Sequence, residues 1–285
     1  MERFTFTNSR GERLVIGDHK DDFLLTAHTG TTVAEILTTS GRGFDQNGRK
    51  YIKTNLGVRI LTLSFSTRRL TDAAFYEKKR LISSVFNPLL GEGVLTYEND
   101  HIRKCITVAV TGMPDLTEKT KITGKYTVEL TAHDPFWYDE TETEILLSGV
   151  TGGLKFPLKF TGNGVRFALK GARSVIVNAS DAEIPITAEF SGACVNPVFR
   201  NATTGKKISI RTTVNDGEKI VVTTRYGEKN IYKVAVNGTK TNVNNLITND
   251  TEFFSLRPGS NSLIFDADSG TPEVYIRYRN LYTGV

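Results

Sequence analysis

The sequence predicts a mainly β protein of two domains, the first a β-sandwich-like domain carrying one α-helix and the second a β-sandwich. Its 285 residues exceed the roughly 100–200 residues that one domain usually contains, which favours two domains. Hydrophobic residues make up 39% of the chain and charged residues 24%. This balance is typical of globular domains rather than of disordered segments.

Alternation of apolar and polar residues predicts the strands. Across residues 125–132, Tyr126, Val128, Leu130 and Ala132 would all point to one side, as in a strand with one face in a core. The same alternation predicts further strands at residues 102–110, 154–160, 184–190, 208–214, 220–224, 232–236 and 274–278.

One segment has helical spacing instead. Residues 71–86 contain no glycine or proline, and Thr71 or Asp72 can cap the start of a helix that Asn87 and Pro88 then end. The face towards the core is predicted to consist of apolar residues at helical spacing, namely Ala74, Leu81, Ile82 and Val85.

The boundary between the domains is predicted where an acidic run gives way to a glycine-rich turn, within residues 139–153. The domains are therefore residues 1–140 and 141–285. In the second domain, short strands alternate with turns at Asn163-Gly164, Asp216-Gly217 and Asn237-Gly238. Short strands separated by such turn dipeptides indicate a β-sandwich.

The sequence carries no motif of a catalytic, cofactor or metal site, so none is predicted and the chain is not expected to be an enzyme. His133-Asp134 precedes a proline and is interpreted as a turn cap. Cys105 and Cys194 are expected to be buried free thiols. Basic and acidic residues, 36 and 31 in number, are dispersed, which favours a mixed solvated surface over a nucleic-acid patch. No apolar run is long enough for a membrane span.

Two other functions stay open at this point. The aromatic residues of the second domain could form a sugar-stacking groove, although in strands they are expected to pack: Phe199, Tyr226, Tyr232, Phe253, Phe254, Tyr275, Tyr278 and Tyr282. A glycoside hydrolase would need a pair of carboxylates at a defined separation. The sequence singles out no such pair.

An ordered set of segments resembles the siphophage distal tail protein family. These segments are GRGFD at residues 41–45, ISSVFNPLLGEGVLTYEND at 82–100, HDPFWY at 133–138, GACVNPVFRN at 192–201, FFSLRPGSN at 253–261 and YIRYRNLYTGV at 275–285. They run through most of the chain in the order expected for that family.

The resemblance implies a ring-forming, tail-tube-like first domain and a galectin-like second domain. It implies a ring of this chain, hexameric in the family, at the distal end of a long non-contractile tail. There it would join the tail tube protein to the tail-associated hub protein and receptor-binding proteins, while phage DNA passes through the lumen. The implied location is the virion, assembled in the cytoplasm of the bacterial host. The family offers no catalytic residue or cofactor, and the alternative is a carbohydrate-binding protein of host attachment.

The dipeptide Asn47-Gly48 predicts the tip of a hairpin whose arms include residues 42–44 and 49–53. This long polar excursion has no evident core to bury. We therefore expect it to reach a neighbouring subunit or the lumen of a ring. The residues expected at the subunit interface are Arg42, Phe44, Asp45, Asn47 and Arg49.

Overall fold

The computed structural model describes residues 2–67, 71–120, 123–147, 172–270 and 272–285. The strand predicted at residues 154–160 and the turn at Asn163-Gly164 lie outside the described residues. The chain divides into two compact units, one of Met1–Glu140 with Tyr282–Val285 and one of Thr141–Leu281.

The elements described before residue 141 are ten strands and one α-helix. They are β1 (Arg3–Thr7), β2 (Arg13–Gly17), β3 (Phe23–Thr29), β4 (Ile36–Gly41), β5 (Lys50–Leu56), β6 (Arg59–Thr67), α1 (Asp72–Val85), β7 (Glu92–Glu98), β8 (Arg103–Lys119), β9 (Gly124–Ala132) and β10 (Trp137–Tyr138). A 3₁₀ turn at Pro88–Leu90 follows α1.

The elements described after residue 140 are strands and one 3₁₀ turn, at Asn244–Leu246. The strands are β11 (Thr143–Leu147), β12 (Ala172–Asn178), β13 (Thr187–Ser191), β14 (Cys194–Val195), β15 (Val198–Asn201), β16 (Lys207–Ser209), β17 (Thr213–Val214), β18 (Lys219–Thr223), β19 (Asn230–Val234), β20 (Lys240–Asn242), β21 (Gly259–Asp266), β22 (Ser269–Gly270), β23 (Glu273–Tyr278) and β24 (Leu281–Tyr282).

The first unit is built on a sheet that closes on itself. Its strand order is β8-β7-β1-β2-β3-β6-β9, and β9 pairs again with β8. The long strand β8 makes the closure possible, because Arg103–Ala109 pair with β7 and later residues pair with β9. The sequence predicted a sandwich-like domain here. The barrel-like closure differs because it depends on the pairing of strands far apart in the chain.

Inward-facing residues of the barrel form its core, as the alternation at β9 predicted, with Tyr126, Val128, Leu130 and Ala132 all buried. Helix α1 packs on this core, and the ring of Phe86 at its end stacks on Phe6 with 4.8 Å between centroids. The side chain of Thr71 caps the helix by accepting from the amide of Ala74, as the sequence indicated.

The buried face of α1 differs from the prediction, in which Ala74 and Leu81 belonged to it and Phe75 did not; Ala74 is only half-buried. Ile82 and Val85 are buried as expected, and Phe75 joins them, but Leu81 is 41% exposed. Leu81 precedes Ile82 by one residue, which corresponds to a rotation of about 100° around a helix of 3.6 residues per turn. A helix that buries Phe75, Ile82 and Val85 therefore turns Leu81 away from the core.

A buried arginine ties distant backbone segments of the first unit together. Arg59 is fully buried, and burial lowers the pKa of its guanidinium. Its described partners are all backbone carbonyl oxygens, those of Gly30 at 2.7 Å, Thr31 at 3.0 Å, Pro135 at 2.8 Å and Thr283 at 2.6 Å. The HDPFWY segment, which supplies the Pro135 carbonyl, is thus held to the barrel and to the C-terminal segment.

The second unit is a β-sandwich. A six-stranded sheet of order β11-β23-β13-β18-β19-β20 packs against a four-stranded sheet of order β12-β21-β15-β16. The ring of Phe190 on the first sheet contacts Phe199 and Phe265 on the second, at centroid distances of 6.0 and 5.2 Å. A further small sheet has the order β17-β14-β22.

Two segments that carry the family resemblance meet inside this sandwich. Asn201 ends GACVNPVFRN and Asn261 ends FFSLRPGSN, and both are fully buried. The side-chain amide of Asn201 donates to Oδ1 of Asn261 at 3.1 Å. Asn261 also donates to the carbonyls of Arg257 and Gly259 and accepts from the amide of Arg257. The two asparagines therefore fix the turn before β21 to the end of β15.

Candidate subunit interface

Strands β4 and β5 form a separate two-stranded hairpin. Ile36 pairs with Leu56 at its base and Gly41 with Lys50 at its outer end, with a bulge next to Thr39. Among the described residues neither strand belongs to a larger sheet. A lone two-stranded hairpin is at best marginally stable in water. Its two outer edges leave backbone donors and acceptors open to another chain.

The hairpin exposes large apolar side chains. Ile36 is 64%, Tyr51 62% and Ile52 60% exposed, Leu37 is also exposed, and Phe44 at the tip is fully exposed. Several large apolar side chains exposed on one short element favour a role in protein association. Of these residues, Phe44 was predicted from the sequence and the others were not, because apolar residues that flank a polar turn resemble the start of ordinary strands.

The tip comprises residues 42–49, and its conformation is set locally. Nε of Arg42 donates to the carbonyl of Gln46 at 2.9 Å, and the amide of Gly43 donates to Oε1 of Gln46 at 3.1 Å. Asp45 and Gly48 have positive φ angles of 59° and 77°. Aspartate tolerates this region and glycine adopts it freely, which is why the chain can reverse here.

All five residues expected at an interface lie together in this tip and are exposed: Arg42, Phe44, Asp45, Asn47 and Arg49. The predicted arms need one correction. Strand β4 ends at Gly41 and β5 begins at Lys50, so residues 42–44 and Arg49 belong to the tip. The hydrogen bond from Arg42 to the carbonyl of Gln46 reverses the chain direction here, so strand pairing ends at Gly41 and Lys50.

Basic residues dominate the outer half of the hairpin. This stretch contains four basic residues and one acidic residue, Asp45. The basic residues are Arg42, Arg49, Lys50 and Lys53. Elsewhere on the same unit, a cavity of about 220 Å³ is lined by more acidic than basic side chains, namely Glu2, Asp18, Asp21, Glu98 and Asp100 with Arg3, Lys20 and Asn99. The unit therefore carries surfaces of opposite charge.

A second polar arrangement lies on the outer face of the six-stranded sheet. One residue from each of five adjacent strands contributes to a row across this face, and each pairs with the next in the order Leu146, Tyr275, Glu189, Val221 and Tyr232. The carboxylate of Glu189 accepts from Nζ of Lys219 and from Nη1 of Arg277, both at 2.9 Å.

Burial by itself would raise the pKa of Glu189, and it is the largest influence on this carboxyl. The hydrogen bonds and charges of Lys219 and Arg277 together outweigh burial, so the pKa lies below its ordinary value of 4.5. The carboxylate is therefore held in its ionised form. This network was not predicted from the sequence, because its members come from three separate strands.

The structure places Asp134 and the two cysteines, which the sequence analysis interpreted as structural residues, in a turn and in buried positions. Asp134 accepts from the amide of Phe136 at 3.4 Å, a turn-capping contact. Cys105 and Cys194 are buried free thiols, as predicted, and burial raises the pKa of Cys194. Within the described parts of the chain, no group of three or more histidine, cysteine, aspartate or glutamate side chains could hold a metal ion. None of the described helices is long and apolar enough to cross a membrane.

Two family models match the chain, and both describe phage tail proteins. Residues 39–132 match the phage tail protein RIFT-related domain, and residues 179–282 match the C-terminal domain of the siphovirus-type tail component. The crystal structure of SPP1 Dit, described as a paradigm of the hub adsorption apparatus in phages that infect Gram-positive bacteria, is similar over 98% of each chain, with a TM-score of 0.67 and 16% sequence identity. The chain belongs to the siphophage distal tail protein family.

Structures of the phage P2 baseplate are similar to this distal tail protein as well. In its activated conformation with calcium, the baseplate contains a chain with 10% identity and a TM-score of 0.55, matched over 100% of this chain and 99% of that one. The form with strontium gives 10% identity, a TM-score of 0.53 and full coverage of both chains. No curated protein sequence matches. The distal tail protein is therefore a structural component of a phage tail, and its first matched segment includes the tip of the β4–β5 hairpin.

Proposed function

We propose that this distal tail protein forms a ring, hexameric as the family resemblance implies, at the distal end of a long non-contractile tail. The ring joins the tail tube protein to the tail-associated hub protein and to receptor-binding proteins, and phage DNA crosses its lumen. The ring is assembled in the bacterial cytoplasm and has no enzymatic activity. Residues 1–140 form the ring and residues from 141 onward form a galectin-like β-sandwich domain, except that the last four, Tyr282–Val285, return to the first unit.

The single observation that carries the proposal is the β4–β5 hairpin. Its apolar residues are exposed, although burying each large apolar side chain contributes about 1.5–3 kcal/mol. A closed ring needs a heterologous contact, in which one surface of a subunit meets a different surface of the next. The hairpin supplies one such surface, because it has exposed apolar side chains, strand edges that pair with no other described strand, and a basic tip.

Charge supports the same arrangement. A basic tip approaches an acidic surface on the next copy more readily than a like-charged one, and such complementarity selects partner and orientation. The acidic cavity lined by Glu2, Asp18, Asp21, Glu98 and Asp100 lies on the same unit as the hairpin. Ring assembly is therefore expected to weaken as salt concentration rises.

The test is the oligomeric state of the full chain, measured by native mass spectrometry over a range of concentrations. The wild type should form a closed ring, whereas Phe44→Ser combined with Ile52→Ser should remain monomeric and folded. Tyr226→Ser is the matched control, because Tyr226 is 93% exposed on the second unit and should leave the ring intact. A wild type that is monomeric at every concentration, or a ring in the double variant, would overturn the proposal.

Charge reversal tests the electrostatic part separately. Arg42→Glu with Arg49→Glu should raise the concentration needed for assembly by about tenfold or more, since repulsion then replaces attraction. Arg225→Glu with Lys229→Glu reverses two exposed charges in a turn of the second unit and should have no effect. If both pairs of substitutions weaken assembly equally, net charge and not the hairpin tip is responsible.

A second candidate function is saccharide binding on the outer face of the six-stranded sheet. The observation that favours it is the row containing Tyr232 and Tyr275 on either side of the Glu189 network. Aromatic faces stack on sugar rings, and charged groups already held by neighbours can bond hydroxyls without reorganising. Glycan arrays probed with the full chain test this function. Binding that Tyr232→Ala and Tyr275→Ala abolish would support it, and an absence of binding would refute it.

A further inference from the structure

The dipeptide Asn-Gly occurs in two described turns that hold it very differently. Asn47-Gly48 lies in the exposed hairpin tip, beyond the last strand pair at Gly41 and Lys50. Within the described residues, neither the side-chain amide of Asn47 nor the backbone amide of Gly48 makes a hydrogen bond. Both groups are thus exposed to water, and among the described residues no hydrogen bond holds either of them.

Asn237-Gly238 joins β19 to β20 and is held by hydrogen bonds. The amide of Gly238 donates to the carbonyl of Ala235 at 2.8 Å. Oδ1 of Asn237 accepts from the amide of Thr239 at 3.0 Å. The two groups that would have to react with each other are therefore both engaged.

The reaction in question is the deamidation of asparagine. The backbone nitrogen of Gly48 loses its proton and attacks Cγ of Asn47, the bond from Cγ to the side-chain nitrogen breaks, and ammonia leaves. The resulting succinimide takes up one water molecule at either carbonyl and opens to aspartate or isoaspartate. Glycine favours the first step because it has no Cβ to hinder the approach. The reaction needs water alone.

We propose that Asn47 is a site of spontaneous deamidation in the unassembled protein, and that the fold protects Asn237 in the same dipeptide. At Asn237 the two hydrogen bonds must open before the nitrogen can attack. At Asn47 nothing has to open.

The modification changes the hairpin tip in two ways. It replaces a neutral amide by a carboxylate between Arg42 and Arg49, and isoaspartate adds an atom to the backbone of the turn. If the tip contacts the next subunit, as the proposed function requires, the altered chains fit the ring poorly. Subunits that assemble soon after synthesis enter the ring before Asn47 has reacted. Subunits that stay unassembled for longer become modified and lose the ability to assemble.

The test compares the two sites in one sample. Full-length protein is incubated in mildly alkaline buffer, and peptide mapping by mass spectrometry follows conversion at Asn47 and Asn237, with Asn47→Gln as the variant that should lose the first signal. Asn47 should react about tenfold faster or more, since two hydrogen bonds hold the second site, and the ratio should approach one in denaturant. Equal rates in the folded protein, or an unchanged ratio in denaturant, would overturn the proposal.

A second measurement concerns assembly and rests on the proposed function. A partly aged sample is separated into rings and unassembled chains, and the modified fraction at Asn47 is measured in each. Depletion from the rings supports the link between the modification and assembly. An equal distribution refutes that link and counts against the hairpin contact, whereas the difference in rate between Asn47 and Asn237 is decided by the first measurement alone.

Discussion

The guanidinium of Arg59 donates from Nη2 to the carbonyl oxygen of Thr283 at 2.6 Å, joining two residues that lie 224 positions apart in the chain. The same side chain bonds the carbonyls of Gly30, Thr31 and Pro135. Thr31 also accepts from Nε1 of Trp137 at 3.1 Å and from the amide of Val285. The buried cation is therefore one of several contacts that hold the C-terminal residues in the first unit, together with the bond from Val285 and the bond from the Tyr282 hydroxyl to Asp139.

Replacement of Arg59 by methionine should destabilise the protein by about 3 kcal/mol or more, because several buried carbonyls lose their donor. Arg59→Lys should recover only part of this loss, since an ammonium cannot reproduce the planar geometry of a guanidinium. Thermal unfolding of the full chain measures both. Arg10→Met is the matched control on an exposed arginine and should change the unfolding temperature little. Equal effects of Arg59→Met and Arg10→Met would contradict the role of the buried network.

Asn261 should be the most sensitive asparagine of the sandwich. Its replacement by alanine leaves the amide of Asn201 and the backbone of Arg257 without partners in a buried place, at a cost of about 2–4 kcal/mol. Asn242→Ala, on an exposed residue of β20, should cost less than about 1 kcal/mol. Urea unfolding followed by circular dichroism compares the two. A smaller loss for Asn261→Ala than for Asn242→Ala would show that the buried pair is dispensable.

Local sequence patterns correctly predicted elements such as β9 and α1, whose residues themselves favour a strand or a helix. The alternation at residues 125–132 identified β9 and its buried face, and Thr71 marked the start of α1. The barrel could not be predicted in this way, since β8 pairs with β7 and also, through several register shifts, with β9. Pairing between distant strands depends on the whole set of strands and leaves little trace in any one of them.

Only the part of the candidate interface that depends on local sequence could be predicted. Asn47-Gly48 is a local turn signal and correctly located the hairpin tip. The exposure of Ile36, Leu37 and Tyr51 could not be inferred, because it depends on what the rest of the chain leaves uncovered. The burial of Arg59 was not predicted either, since an arginine at the start of a strand usually lies on the surface.

Gly93 in β7 should tolerate no side chain. A Cβ at this position would lie 2.6 Å from the carbonyl oxygen of Thr7 and 2.8 Å from the ring of Phe6. Gly93→Ala therefore forces β1 and β7 apart or moves the ring, at a cost of about 1–3 kcal/mol.

The matched control for this substitution is Glu92→Ala, on the exposed neighbour in the same strand. Thermal unfolding should show a clear loss for Gly93→Ala and little change for Glu92→Ala. If Gly93→Ala unfolds at the wild-type temperature, the two strands can accommodate a methyl group and the close contacts do not matter for stability.

The carboxylate of Glu189 should make stability depend on pH in the acid range. Its pKa is lowered from 4.5 in the folded protein, because Lys219 and Arg277 together outweigh the opposite effect of burial. A carboxyl with a lowered pKa stabilises the native state above the pKa of the unfolded chain, and this contribution disappears as the pH falls through the folded pKa. The stability that Glu189 provides is thus complete near neutral pH and is lost in acid.

Glu189→Gln should therefore cost about 1–3 kcal/mol near neutral pH, where it leaves Lys219 and Arg277 without their buried carboxylate. The difference between the variant and the wild type should shrink as the pH falls from 4.5 through the lowered pKa of the folded protein, because the wild-type carboxyl then becomes protonated too. Urea unfolding at several pH values measures this difference. Glu144→Gln removes a half-exposed partner of the same Arg277 and should cost less than about 1 kcal/mol. A loss at Glu189 that stays constant from neutral to acid pH would mean that side-chain packing, and not the ionised carboxylate, stabilises this face of the sheet.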